Sequence, residues 1–245
     1  MNSGIYTAVS GLRAQMEALD MMANNLANVN TTGFKEDNAF FTLLKQSISQ
    51  SPERDQLDSA INQSITAQAA VNPAAGSIRP TNRDLDIAIE GSGFLVVQAP
   101  AGTRYTRNGS LRLNEKFVLS TSEGFPVLGL KNQPITLGPG KIHINQDGSV
   151  SLDGAPVDRL KVVSFDNISV LQKEGSSLFA QKPGPNAEKP SNTKISSGYL
   201  EQSNVNAVSS VVRMVEIMRH FEALQKSVSL MMNEINQKSI EKLGN

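Results

Sequence analysis

All 11 prolines lie between Pro52 and Pro190, and residues 1–34 and 201–245 hold only four of the 18 glycines. Proline locks φ and removes a backbone donor, and glycine raises the entropy cost of ordering, so both interrupt long regular elements. The two ends of the chain can therefore be long helices and the middle cannot. This division predicts an α+β fold in which helices at 1–34 and 201–245 form one domain. Residues 35–79 are expected to be a linker with some helical potential, and 80–200 a β-rich outer domain of hairpins and meanders.

Periodicity supports the helical ends. Ile5, Val9, Leu12, Met16, Leu19, Ala23 and Leu26 recur alternately four and three residues apart, an a/d seam from which Arg13, Gln15, Glu17 and Asp20 are excluded. The helix is expected to stop near Thr31-Thr32-Gly33, where glycine can take a left-handed conformation. A second stripe runs through Val208, Val211, Val215, Met218, Phe221, Leu224, Val228, Met231 and Ile235, with Ser203 or Asn204 available as a cap. Three successive steps of three between Val215 and Leu224 make this stripe drift around its helix. One narrow seam leaves a helix marginal in water, so the two are expected to pair as a coiled-coil layer. Two readings stay open: a helical hairpin inside one globular domain, or a separate layer that also packs against other copies.

The middle reads as strands. Asp86–Val97 is an apolar alternation interrupted by Gly91-Ser92-Gly93, and short runs follow at Ser110–Leu113, Phe117–Leu119 and Pro126–Leu130. Lys141–Asn145 and Ser149–Leu152 flank Asp147-Gly148, a hairpin signal, and Arg159–Phe165 is another candidate. Residues 46–75 show no firm period, and 181–197 reads as an extended loop.

Charge and composition exclude several function classes. With 23 basic and 23 acidic residues there is no electrostatic footprint for nucleic acid. No apolar run is long enough to span a bilayer, so no direct membrane insertion is expected. The first 25 residues lack a basic region followed by an unbroken apolar one, so an ordinary cleaved signal peptide is not expected. Cysteine is absent, which removes disulfides, thiolate metal sites and cysteine nucleophiles. Gly91-Ser92-Gly93 lacks the third glycine and following helix of a dinucleotide loop, so a tight backbone approach is expected there. His143 and His220 have no metal-ligand spacing, and no cofactor or metal is expected. Asp84 and Asp86 are the one arrangement resembling a glycosidase carboxylate pair.

The most specific run is Ala23-Asn24-Asn25-Leu26-Ala27-Asn28-Val29-Asn30-Thr31-Thr32-Gly33-Phe34-Lys35. Asparagine forms helix poorly and competes with the backbone for hydrogen bonds, so the plain reading is helix termination. Yet Asn24 and Asn28 lie one turn apart on one face, where amides can fix packing register. Together with Ala8-Val9-Ser10-Gly11-Leu12, this run resembles the N-terminal signature of the flagellar basal-body rod and hook proteins. Asp84–Val97, Tyr105-Thr106-Arg107-Asn108-Gly109-Ser110, Ser203-Asn204-Val205-Asn206 and Met214–Lys226 are similar to further segments of that family, so the resemblance spans essentially the whole chain. Within it the wording is closest to the proximal-rod branch, with the distal-rod branch the near alternative. Leu224 and Leu111 depart from the family pattern, which more often has Asn and an aromatic there.

The resemblance implies a structural, non-enzymatic subunit of the flagellar rod, stacked helically around a central channel to transmit torque. The terminal helices would form its inner coiled-coil layer. Implied partners are copies of itself, other rod proteins and the flagellar type III export apparatus, and the implied location is the basal body in the periplasm after signal-peptide-independent export. Leu12, Met16, Leu19, Asn24, Asn25, Leu26, Asn28, Val215, Met218, Phe221 and Val228 are the expected assembly interface. Phe40 and Leu44 fit a short Phe-x-x-x-apolar pattern for docking at the export gate, or are simply one turn apart on an amphipathic helix. Other readings are a distal-rod or hook-type axial subunit, an exported β-domain enzyme acting on peptidoglycan, and a monomeric binding module.

Overall fold

The computed structural model of the chain describes residues 2–46, 62–183, 188–191 and 193–243. The chain divides into two compact units: residues 1–26, 37–70 and 207–245 form unit 1, and residues 27–36 and 71–206 form unit 2.

Unit 1 holds two helices, α1 (Asn2–Ala27) and α2 (Ala207–Leu243), and two paired strands, β1 (Asp37–Gln46) and β2 (Asn62–Val71). Proline-free sequence at both ends permits the two long helices, as expected. The buried face of α1 is not the expected seam, however. It is made by Gly11, Ala14, Ala18, Met22 and Asn25. These small side chains let neighbours approach closely: a Cβ on Gly11 would lie 3.6 Å from Ile65 Cδ1 of β2 and 3.9 Å from Leu224 Cδ1 of α2. On α2, Ser210 is buried, and Met214, Ile217, Phe221, Leu224 and Val228 are partly buried. Their spacing of four, three, four, three and four is a regular inward stripe. Leu224, the departure from the family pattern, thus packs an apolar side chain near Gly11. The expected helical potential of 35–79 is not realised at β1 and β2, where β-branched and aromatic residues such as Phe40, Phe41, Thr42 and Ile65 favour extended backbone. Residues 47–61 lie outside the described residues.

Unit 2 is β-rich. Its strands are β3 (Ile78–Pro80), β4 (Ile87–Glu90), β5 (Phe94–Ala99), β6 (Gly102–Thr106), β7 (Leu111–Leu113), β8 (Leu119–Thr121), β9 (Ile142–Ile144) and β10 (Ser149–Leu152). They continue through β11 (Ala155–Arg159), β12 (Val162–Ser164), β13 (Leu171–Glu174), β14 (Leu178–Gln181), β15 (Lys189–Pro190), β16 (Lys194–Ser197) and β17 (Tyr199–Glu201). An antiparallel six-stranded sheet runs β13-β14-β6-β5-β12-β15, a three-stranded one β11-β10-β9, and β16-β4, β17-β3 and β7-β8 pair separately. Asp147-Gly148 makes the expected hairpin between β9 and β10, with Gly148 at φ 84°. Residues 181–197 are not simply a loop, because Lys194–Ser197 pairs in register with Ile87–Glu90.

β5 explains the unbroken apolar run Phe94-Leu95-Val96-Val97. Leu95 and Val97 enter a core with Ile87, Leu111, Leu119 and Ile144, while Phe94 and Val96 enter a second core with Tyr105 and Phe179. A strand buried on both faces needs apolar residues at every position. The second core is aromatic: Phe94 meets Phe179 edge-on at 5.5 Å between ring centroids, and Tyr105 meets Phe165 at 4.9 Å.

The segment leading from α1 into unit 2 turns at Asn28, whose carbonyl accepts from Thr31 N at 3.1 Å, several residues earlier than expected. Gly33 follows at φ 68° and donates its N–H to the Glu201 carbonyl at 2.8 Å. A Cβ there would collide with the Arg107 and Asn108 backbone. Gly33→Ala is therefore expected to destabilise unit 2 by at least about 2 kcal/mol, from left-handed strain plus the clash. A urea unfolding midpoint equal to that of the parent protein would contradict this origin for the glycine.

Candidate functional site

Two places bring the singled-out residues together: the outward faces of the helices in unit 1, and a buried polar cluster in unit 2. On α1 the expected seam faces outward. Val9 and Met16 are 50% and 54% exposed, Ala23 is exposed, and Leu12, Leu19 and Leu26 are partly buried. On α2, Val208, Val211, Val215 and Met218 are all exposed, the last two at 44% and 46%. The expected burial of Met16, Val215 and Met218 against the opposite helix is thus corrected. Phe221 and Val228 belong instead to the inward stripe. The physical reason is that each helix carries two apolar stripes about a third of a turn apart. The run of threes between Val215 and Leu224 marks the step from the outward stripe to the inward one.

The asparagines separate in the same way. Asn24 is exposed and Asn28 partly buried, with Thr31 Oγ1 donating to Asn28 Oδ1 at 3.0 Å. Asn25 is fully buried: its Nδ2 donates to the Asp37 carbonyl at 2.8 Å and its Oδ1 accepts from Asp37 N at 3.0 Å. That amide is committed inside unit 1, so Asn25 is removed from the residues expected to face another copy. Phe40, 54% exposed, stands on β1, and position 44 belongs to the same strand, so neither lies on an amphipathic helix. Ser203 and Asn204 do not cap α2, which begins at Ala207. Ser203 Oγ accepts from Val205 N, and the Asn204 amide is engaged in unit 2.

That engagement belongs to the cluster. Glu201, 2% exposed, places Oε1 2.6 Å from Lys35 Nζ and Oε2 3.2 Å from Arg107 Nη1. Gly76 N donates to the same Oε1 at 2.9 Å. Lys35 Nζ also donates to the Ala74 carbonyl, and Arg107 to the carbonyls of Ile89 and Gly91. Asn204 Oδ1 accepts from Glu36 N at 2.7 Å, while its Nδ2 donates to the carbonyls of Asn72 and Ala74. Lys173 Nζ donates to the Lys35 carbonyl at 2.6 Å and lies 3.7 Å from the centroid of the Phe34 ring. Burial pushes the Lys35 ammonium and the Arg107 guanidinium below their ordinary pKa values, with Glu201 opposing the shift in each.

The cluster unites three distant runs: Thr32-Gly33-Phe34-Lys35, Thr106-Arg107-Asn108-Gly109 and Glu201–Asn204. Sequence reasoning singled out the first two runs and Ser203–Asn206 beside the third, but none of the three charges within them. The available signal was one charged residue in each of three otherwise compact, turn-rich runs.

The remaining candidates do not converge on chemistry. Asp86 is buried and ion-paired with Arg83 at 3.6 Å, while Asp84 is exposed, so the two do not form a facing carboxylate pair. Gly93 sits where a Cβ would come within 2.6 Å of Val162 Cγ1, a close approach rather than a phosphate cradle. His143 lies exposed on β9, and His220 lines a recess of about 300 Å³ in unit 1 with Gln15, Met22, Phe41 and Ile217. Among the described residues no three His, Asp or Glu side chains gather as metal ligands would, and no helix is long and apolar enough to cross a membrane.

A buried ion cluster is costly to break and cheap to replace whole. Lys35→Met is expected to destabilise the protein by about 3–5 kcal/mol. The triple change Lys35→Met, Arg107→Met, Glu201→Met is expected to recover most of that loss. Chemical denaturation of the two variants checks this, and equal midpoints for them would refute it.

Three family models match this chain. Residues 5–35 match the model "Flagella basal body rod protein", residues 88–152 "Flagellar hook protein FlgE/F/G D1 domain", and residues 196–241 "Flagellar basal body rod FlgEFG protein C-terminal". The chain is 33% identical to the flagellar basal-body rod protein FlgF of Caulobacter vibrioides, over 100% of this chain and 99% of that one. It is 32% identical to FlgG of Borreliella burgdorferi, covering 93% and 94% of the two chains. With FlgG of Buchnera aphidicola subsp. Acyrthosiphon pisum the identity is 31%, covering 94% and 95%. The chain therefore belongs to the flagellar basal-body rod protein family, a family of structural subunits and not of enzymes.

Proposed function

We propose that this rod protein self-assembles helically through the outward stripes of α1 and α2, which form a coiled-coil inner layer that lines the export channel and transmits torque. Unit 2 then forms the outer layer. One observation carries the reading: each helix already satisfies an inward stripe within its own unit, yet keeps a second apolar stripe exposed. Val9 and Met16 on α1, and Val208, Val211, Val215 and Met218 on α2, are all at least 44% exposed. Contiguous exposed apolar surface marks an interaction site, and a 3–4 spaced stripe fits another helix better than any other partner. Leu12, Leu19 and Leu26 extend the α1 stripe, and Asn24 and Asn28 border it as register-setting amides.

The same proposal includes the chain's route and place. It is exported through the flagellar type III apparatus into the periplasm, with Phe40 and Leu44 as the segment that docks at the export gate. Its partners there are copies of itself and other rod proteins. The end-to-end match with a FlgF relative supports the proximal rod, the FlgG relatives making the distal rod the near alternative.

Val215→Glu with Met218→Glu is expected to leave the melting temperature of the purified protein within about 3 °C, because exposed substitutions cost little. The same pair is expected to abolish swimming and rod formation in cells. Ile217→Glu, on the inward stripe, is expected to lower the melting temperature itself. Normal motility of the double variant would sink the assembly reading.

A further inference from the structure

Segment 201–204 does more than end the last strand of unit 2. The Glu201 carbonyl accepts from Gly33 N, its carboxylate accepts from Gly76 N, and Gln202 N donates to the Ser77 carbonyl. Asn204 joins Glu36, Asn72 and Ala74. Three residues, Glu201, Gln202 and Asn204, thus tie residues 33–36 and 72–77 together. Between them stand two cations: Lys35, 1% exposed, and Arg107, 4% exposed, both ion-paired to the one carboxylate of Glu201.

We propose that Lys35, Arg107 and Glu201 form a closing lock: unit 2 first forms its sheet around β5 and β6, and residues 33–36 and 72–77 dock only when Glu201 arrives. The ordering follows from charge and chain position. Without Glu201, docking would bury Lys35 and Arg107 side by side with that anion missing, and buried like charges without compensation are strongly unfavourable. Each repels the other's charge, and Glu201 offsets both. The lock also joins residues 166 apart in sequence, so its loop-closure cost is met last, whereas β5 and β6 pair as neighbours. A chain delivered N-terminus first, as in synthesis, presents Lys35 and Arg107 long before Glu201. Its N-terminal signature therefore stays undocked until the C-terminal strand has emerged.

The test is the partition of a stability change between folding and unfolding rates in the full chain. Glu201→Gln removes the charge while keeping the shape of the side chain. It is expected to leave the folding rate within about twofold and to speed unfolding about a hundredfold, as for an interaction absent from the transition state. Slower folding with unchanged unfolding overturns the proposal, because the lock would then belong to the nucleus. Pulse-labelled hydrogen exchange on the unmodified protein needs no variant. Protection at Gly33, Gly76 and Gln202 is expected after protection in β5 and β6. Simultaneous or earlier protection at those three amides overturns the lock.

Discussion

One buried carboxylate organises the larger unit of this protein. Glu201 receives Lys35 from the segment after α1, Arg107 from the turn after β6 and Gly76 from the approach to β3. A buried charge is tolerated only when paired and hydrogen-bonded, so each of these groups constrains where the others can stand. Gly33 shows the tightness that results, since no side chain fits between it and the Arg107 backbone. Residues 33–36 and 201–204, near the two ends of the chain, are therefore in contact within unit 2.

Unit 1 obeys a different constraint. Its helices pack within the unit through Gly11, Ala14 and Ala18 on α1 and through Met214, Ile217 and Leu224 on α2. Gly11, Ala14 and Ala18 on the inward face of α1 permit close approach there, while Met16 points outward. A subunit built to join others needs such a division: one stripe to complete itself, and another left to be completed by a neighbour. Under the assembly proposed above, the outward stripe with Met16 and Met218 is the one a neighbour completes.

Much of the architecture was legible because it rests on local rules. Proline placement separated the helical ends from the β-rich middle, Asp147-Gly148 marked its hairpin, and the unbroken run at Phe94–Val97 marked a strand. The rest depended on partners distant in sequence. β13 and β16, with the sequences LQKE and KISS, carry no apolar pattern and are strands only because β14 and β4 lie beside them. Periodicity shows apolar stripes on both helices but does not tell inward from outward, so on α2 the two stripes merge into one line that drifts. The ion cluster was invisible for the same reason: each of its charges sits in a different run, and nothing near any one of them announces the other two.

Asn25 acts as a chemical mimic of a peptide group. Its amide presents the Asp37 backbone with one donor and one acceptor, the same pair a neighbouring peptide group would offer, so a helical side chain serves as a strand one residue long. The match depends on the amide nitrogen. Hydrolysis of this amide, in which one water enters and ammonia leaves, would turn the donor into a second acceptor facing the Asp37 carbonyl and add a negative charge to a buried site. A single chemical ageing event, with no change of size, would therefore push the start of β1 away from its helix.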